Sequence, residues 1–446
     1  MRWRRAILCA ASVGVTALLA AMGMAFLSDR MAGQADLAAP ITTEALRARG
    51  AYLARLGDCE ACHSVAGKPR YAGGLRMVTP IGAIYTTNIT PDDKYGIGRF
   101  GLADFDRALR FGVADGHSLY PAMPFTSYYN TSPSDVAALY AYFRNDVPPA
   151  AVPNRPSEIP FPLSMRWPLT YWRWFFAPKP EPFRPLPGMD AETAKGAYFV
   201  EGMGHCGECH TPRALTMQVR AVTPRDGPAY LSGAVIENYF APSLRNGGAG
   251  TLGDWSIDDL VQFLKTGASS KGSAFGSMSD VIVHSTQHMT DDDIQAAAKY
   301  LKSIRSDSDG KAIAFSYDTE TSRALRSGDA SRPGAMTYLD NCATCHRPDG
   351  KGYERVFPRL AGNGVVQASN ALSLISIVLQ GSTTPRTAGA PAQFTMPSFA
   401  WRLSDREIAD LASFVRGSWG NHASQITAAE VSRARKASGS PAADHQ

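Results

Sequence analysis

Apolar and polar positions divide the chain into one long uncharged run and a series of short amphipathic ones. From Ile7 to Leu27 there are 21 residues without a charge, and Arg2, Arg4 and Arg5 stand ahead of them. Positive charge before such a run is the inside-facing end of an export signal, and 21 residues also suffice to cross a bilayer. Gly23-Met24-Ala25 and Gly33-Gln34-Ala35 offer cleavage sites. Residues 1–35 therefore read as a signal peptide or an N-terminal anchor, with the chain from about 36 onward outside the cytoplasm. No later stretch approaches 18 apolar residues, so no second spanning helix is predicted.

Beyond the run, helical spacing recurs three times. A first set of short helices is predicted in "RGAYLARLG", "KGAYFVEGM" and "RPGAMTYLD", each with a glycine where another helix can cross closely. A middle set follows in "GLADFDRALRFG", "SIDDLVQFLKTG" and "ALSLISIVLQG". A closing set, "SPSDVAALYAYF", "TDDDIQAAAKYL" and "SDREIADLASFV", carries start signals: Ser132 with Pro133 and Asp135, Thr290 with Asp293, and Ser404 with Glu407. These resemble capping boxes, and acid in the first turn suits the helix dipole. The expected fold is mainly α, with three tandem domains over about 40–147, 190–305 and 325–420. The first linker, 148–189, is proline-rich: 12 of the 30 prolines fall in 148–187. The second, 306–324, is polar and expected to wrap a surface, and 421–446 reads as a loose tail with one or two helical turns.

Length and charge narrow the function. At 446 residues the chain has room for two to four domains. Residues 1–35 contribute +3 of the formal +5 (four Arg against Asp29), leaving +2, too little to argue for nucleic acid.

Seven cysteines remain to be explained. Cys9 lies in the apolar run, in a poor lipoprotein context. The other six form Cys59/Cys62, Cys206/Cys209 and Cys342/Cys345, each pair followed directly by a histidine: His63, His210 and His346. On a helical turn, positions i and i+3 share a face, so two thiols can reach one edge of a porphyrin and the next residue can turn under the ring. Cys-x-x-Cys-His is the attachment signature of covalent haem c. Structural zinc wants four ligands, and these pairs stand more than 130 residues apart. A redox dithiol has no use for an adjacent histidine in every copy. Three copies in an exported chain point to three covalently bound haem c groups.

The second axial ligand sets the chemistry, because methionine gives six-coordinate iron suited to electron transfer. Met123 in "YPAMPF" and Met396 in "FTMPSF" sit beside prolines that stiffen their loops. Met278 in "FGSMSDV" is the middle candidate, with Met289 as its rival. His117, His205, His284, His288 and His422 are alternative ligands whose ordinary reading is bonding to loops or propionates. His445 reads as solvated.

The stretches "TPIGAIYTTNITPD", "GIGRFGLADFDRALRFGV", "DGHSLYPAMPF", "GHCGECHTPR", "LSGAVIENYFAPSL" and "WRLSDREIADLASFVRGSWGN" carry a resemblance that spans about 45–422. The chain resembles the three-haem cytochrome c subunit of membrane-bound periplasmic alcohol, gluconate, sorbitol and fructose dehydrogenase complexes. The resemblance implies three class I cytochrome c domains, with axial methionines at Met123, Met278 and Met396. It implies a separate catalytic subunit with PQQ, flavin or molybdenum cofactor, and electrons passed to ubiquinone in the respiratory chain. The location implied is the periplasmic side of the bacterial cytoplasmic membrane. Some family members carry a C-terminal membrane helix; here attachment falls to the N-terminal run or to a surface patch.

"RWPLTYWRWFFAP" (166–178) is a candidate patch, read either as packing between the first two domains or as an interfacial anchor on the quinone side. Two other functions remain open at this point: a haem enzyme with one open iron, for which Met278 leaves room, and a cytochrome component of a terminal oxidase. No catalytic acid–base pair stands out.

Overall fold

The computed structural model describes residues 2–33, 42–247, 252–306 and 315–439. The Gln34-Ala35 cleavage site, the middle of the second linker and His445 lie outside the described residues. The chain divides into two compact units, Met1–Arg184 and Pro185–Gln446. The described residues are mainly helical, with short two-stranded antiparallel hairpins between the helices.

All nine helices expected in three sets form, and one packing device recurs. The leading helices Glu44–Leu56, Ala191–Glu201 and Ala335–Asn341 cross the closing helices Pro133–Asn145, Asp291–Ser303 and Asp405–Arg416. At each crossing a glycine lies against the partner backbone. A Cβ on Gly50 would fall 2.6 Å from the Ala138 carbonyl carbon, and one on Gly196 would fall 2.9 Å from the Ala297 nitrogen. A Cβ on Gly334 would fall 2.7 Å from the Leu411 nitrogen, and Gly334 also holds φ +82°. Only a residue without a side chain lets two helix backbones approach this far.

The caps form as the sequence predicts. Ser132 accepts from the Asp135 N–H and Thr290 from the Asp293 N–H, while Ser404 and Glu407 cap each other. The two aspartates also pair with a basic residue one place before the crossing glycine, Asp135 with Arg49 at 2.9 Å and Asp293 with Lys195. Cap and crossing are thereby fastened at the same point.

The middle helices Leu102–Phe111, Ile257–Thr266 and Leu372–Gln380 each end at a glycine of positive φ: Gly112 (+65°), Gly267 (+80°) and Gly381 (+75°). A two-residue hairpin follows each one, pairing 113–114 with 117–118, 268–269 with 272–273, and 382–383 with 395–396. In the second unit, buried Ser373 and Ser376 on the last middle helix grip the hairpin Ala234–Ile236/Tyr239–Ala241. Ser373 Oγ accepts from the Phe240 N–H (2.8 Å) and donates to its carbonyl (2.9 Å), and Ser376 donates to the Asn238 carbonyl (2.7 Å).

Three expectations need correction. The tail contains an 11-residue helix, Ala428–Ser438, with a full Thr427/Glu430 capping box. Its buried Arg435 donates to Asp405 (2.7 Å) and to the Ala400 and Leu403 carbonyls, and Val431 and Ala434 join the last core. Its alanines and scattered charges carry too weak an apolar stripe to show in sequence. The second linker also holds a helix, Glu320–Arg326, while Phe315 and Tyr317 pack on the same core. The first linker likewise holds a helix, Trp167–Phe176, formed by the aromatic stretch. Trp172 stacks edge-on with Phe125 at 6.3 Å, and the Tyr171 hydroxyl donates to the Ala21 carbonyl of the helix Arg2–Met31.

Candidate haem sites

Each Cys-x-x-Cys-His stretch ends in a single helical turn: Cys59–His63, Gly207–His210 and Ala343–His346. None of the six cysteines forms a disulfide. Desolvation pushes the thiols of Cys59, Cys206 and Cys342 up to about 12. Such thiols stay protonated at neutral pH and are poorly suited to dithiol exchange, which needs a ready thiolate.

The second cysteines, Cys62, Cys209 and Cys345, are each partly buried and stand directly before the histidine. Here the structure corrects the expectation that both cysteines of every pair lie within one helical turn. Cys62 shares its turn with Cys59, but Cys209 and Cys345 belong to turns that begin one residue after Cys206 and Cys342. Cys206 and Cys342 cap those turns instead. Cys342 also ends the helix Ala335–Asn341, which draws its φ to −122° and breaks the helical run there. The caps still close the turn, since the Cys206 and Cys342 carbonyls accept from the His210 N–H (3.0 Å) and the His346 N–H (2.9 Å). The i to i+4 link from first cysteine to histidine is kept in both, and with it the common side that the haem edge needs.

The histidines are held alike. His63 Nδ1 lies 2.7 Å from the Thr87 carbonyl, His210 Nδ1 2.7 Å from Pro242, and His346 Nδ1 2.8 Å from Pro358. A carbonyl oxygen can only accept, so each ring carries its proton on Nδ1 and leaves the Nε2 lone pair free. Desolvation lowers the pKa of all three, which keeps the rings neutral. A neutral imidazole with an oriented, unprotonated Nε2 is what an iron ligand requires, and the second-atom hydrogen bond raises its basicity.

The surrounding backbone repeats as well. The histidine carbonyls accept from Gly73 (2.7 Å), Gly233 (2.8 Å) and Gly352 (3.1 Å), all at positive φ. A Cβ on Gly73 would fall 2.5 Å from the Thr87 oxygen, and one on Gly352 would fall 2.7 Å from the Pro358 oxygen. Those oxygens are the histidine acceptors themselves. The glycines therefore let the acceptor strand come in under the ring. In the first two sites that strand leaves a hairpin, Arg76–Thr79/Gly82–Tyr85 and Ala234–Ile236/Tyr239–Ala241; in the third, a Tyr353–Phe357 bridge replaces it. Sequence reasoning missed these glycines and carbonyls. Their offsets from histidine differ in every copy, so spacing carries no signal of them.

The candidate methionines are all partly buried: Met123 in the turn before Phe125–Tyr128, Met278 in the first turn of Ser277–His284, and Met396 on a hairpin strand packed against the last core. Met123 stands 11 residues after Gly112 and Met278 stands 11 after Gly267. The intervening hairpins close with the same bond, from the Leu119 N–H to the Gly112 carbonyl and from the Ala274 N–H to the Gly267 carbonyl, each 2.7 Å. That spacing was readable in the sequence. Met289 is buried in the core at 5% exposure, and its carbonyl accepts from Lys265 Nζ (2.5 Å).

The rival histidines lie elsewhere. His117 and His422 are exposed, His205 occupies a turn at φ +35°, and His288 Nε2 sits 3.2 Å from the Val283 carbonyl. His284 shares a helix with Met278 six positions on, about 240° around the axis, so the two cannot face one ring together. A further sign of an inserted group lies in the first unit, seven residues after Met123 in sequence. Asn130, 2% exposed, has both ends of its side-chain amide buried without a hydrogen-bond partner. Burying such a group unpaired costs about 1–3 kcal/mol, and a haem propionate would accept from its amide nitrogen. The residues present fit haem c.

Comparison with known proteins agrees. Residues 331–419 match the cytochrome c family. Over 409 residues the chain is 49% identical to the cytochrome c subunit of a quinone-type alcohol dehydrogenase from Gluconacetobacter polyoxogenes, covering 91% of this chain and 87% of the relative. It is 50% identical over 407 residues to the gluconate 2-dehydrogenase cytochrome c subunit of Pantoea cypripedii (90% and 92% covered). It is 36% identical over 404 residues to the fructose dehydrogenase cytochrome subunit of Gluconobacter japonicus (87% and 82% covered). With attachment turns, oriented imidazoles and near full-length relatives in accord, the chain belongs to the family of cytochrome c subunits of alcohol, gluconate and fructose dehydrogenases.

Proposed function

We propose that this chain holds three covalent haem c groups in three tandem cytochrome c domains and carries electrons from a catalytic dehydrogenase subunit to ubiquinone at the periplasmic face of the membrane. Cys59 with Cys62, Cys206 with Cys209, and Cys342 with Cys345 form the thioethers. His63 with Met123, His210 with Met278 and His346 with Met396 would ligate the irons. The observation that carries the reading is the threefold arrangement of a histidine with Nδ1 on a backbone carbonyl at 2.7–2.8 Å, beside a cysteine pair.

The haem irons, when bound, supply one-electron transfer between ferrous and ferric states. The chain's own part is to hold each imidazole in one tautomer and to offer a methionine thioether as a second ligand. It also keeps the surroundings rigid, so that little rearranges when charge changes. The partner subunit, with PQQ, flavin or molybdenum cofactor, performs the substrate chemistry, consistent with relatives named as subunits of dehydrogenases.

Intact mass and haem-to-protein ratio test the count: three groups per chain are expected, and two or fewer in fully matured protein would refute it. Carbon monoxide added to the reduced chain should leave all three spectra unchanged; a stoichiometric shift at one haem favours the open-iron enzyme instead. Reoxidation of the reduced chain by a short-chain ubiquinone tests the acceptor.

A further inference from the structure

The helix Arg2–Met31 ends in a buried carboxylate. Asp29, 3% exposed, accepts from the Ser118 N–H (2.8 Å), the Ser118 hydroxyl (3.0 Å) and the Thr170 hydroxyl (2.9 Å), and pairs with Arg173 at 2.9 Å. Ser118 and Thr170 are themselves fully buried. Nearby, Trp174 Nε1 donates to Ser28 Oγ at 2.8 Å, Tyr171 donates to the Ala21 carbonyl at 2.9 Å, and Ala25 is 1% exposed. These bonds make residues 21–29 part of the first unit's packing. A leader cut after Ala35 would take Asp29 with it, leaving Arg173 without its carboxylate and the Ser118 N–H and Thr170 hydroxyl without their acceptor. A cut after Ala25 would remove Ala21 and the sealed Ala25.

Toward its N-terminus the described residues of the same helix are exposed. Val13, Val15, Leu18, Leu19, Met22 and Met24 are all exposed. The apolar stretch from Cys9 to Met31 is 23 residues, about 35 Å of helix, enough to cross a hydrocarbon core about 30 Å thick. The aromatic helix runs beside its outer end and leaves Trp174 (45%), Phe175 (75%) and Phe176 (37%) exposed at the level where a lipid interface would lie.

We propose that residues 1–31 are retained as a bilayer-spanning anchor, locked to the first unit through Asp29, with Trp167–Phe176 seated at the outer lipid interface. The occupant of the exposed face is lipid, because the apolar helix is long enough to cross one bilayer and Arg2, Arg4 and Arg5 cluster at its inner end against Arg30 alone at the outer. The inference rests on the periplasmic placement proposed above. Export of haem-loaded protein lacking residues 1–31 would overturn the anchor and leave that placement intact.

The test uses the full chain in its native membranes. Intact mass of the haem-bearing species should include residues 1–31, and it should stay in the pellet after alkaline carbonate. A mature N-terminus after Ala25 or Ala35 overturns the proposal. The detergent-purified chain should float with vesicles of phosphatidylethanolamine and phosphatidylglycerol; failure to float would mean that a protein partner, not lipid, covers the helix. Asp29→Ala should keep the mass, the haem ratio and flotation but lower the thermal midpoint, with Asp29→Asn in between. An unchanged midpoint in Asp29→Ala overturns the lock.

Discussion

Gly196→Ala separates two forces that act in opposite directions. In an isolated helix the change is favourable by about 1 kcal/mol, since alanine is the better helix former. At the crossing, the new methyl would sit 2.9 Å from the Ala297 nitrogen and closer still to the Ala296 carbonyl oxygen, against an ordinary contact of 3.4 Å. The helices Ala191–Glu201 and Asp291–Ser303 must then part by at least 0.5 Å at Ala297 and by more at Ala296. A gap of 0.5–1 Å already forfeits about a quarter to a half of each dispersion contact along the seam. The obstacle is backbone rather than the end of a flexible side chain, so the cost lies near the upper end of overpacking, about 3 kcal/mol. The net expectation is destabilisation by about 2 kcal/mol. Urea unfolding of the detergent-solubilised, haem-loaded chain, followed by circular dichroism and the haem absorbance, reads it as a lowered midpoint with unchanged slope. Gly417→Ala is the control, because a Cβ there meets nothing nearer than 3.5 Å at an ordinary φ of −116°. If Gly196→Ala proves neutral or stabilising, propensity has won and the close-crossing argument is wrong.

Three more expectations can be checked. Met278→His should replace one methionine-ligated haem by a bis-histidine haem of lower potential in a redox titration, whereas Met289→Leu should leave all potentials in place; the reverse pattern would move ligation to Met289. Glu201 is 4% exposed, accepts from the Tyr300 hydroxyl, and is pushed up to about 7 by burial, with Asp226 adding to the rise and Arg225 opposing it. Because the native state then holds a proton that the unfolded chain has lost above its ordinary carboxylate pKa, stability should fall by about 3 kcal/mol as pH rises from about 4.5 through 7. Glu201→Gln should flatten that slope in denaturation series, and an identical slope in the variant refutes the assignment. Ser373→Ala with Ser376→Ala should cost about 1 kcal/mol for each serine and loosen the grip on the Asn238–Phe240 hairpin, seen as faster amide exchange there.

Much of the framework is legible in the chain alone, and for a local reason. Helix period, caps such as Ser404/Glu407 and glycines at turn ends act within a few residues, so their signals lie close together in sequence. The cysteine–histidine stretches are legible for the same reason: attachment and the first ligand fit inside five consecutive residues. The crossing glycines Gly50, Gly196 and Gly334 could be suspected because each keeps a similar distance from its cysteine pair.

Other features exist only once distant segments meet. The carbonyls of Thr87, Pro242 and Pro358 reach their histidines after 24, 32 and 12 residues, and loops of such unequal length leave no common pattern to read. The final helix becomes a helix of the last core because Arg435 finds Asp405 and two backbone carbonyls, partners that its own alanine-rich sequence does not announce. Asp29 looks like a stray charge after an apolar run until Ser118, Thr170 and Arg173, some 89 to 144 residues later, close around it. Chain-local chemistry thus specifies what can be attached and where helices start. Tertiary packing decides which lone pair of each imidazole is left free and which apolar surface is left exposed, because both depend on groups brought together only by folding.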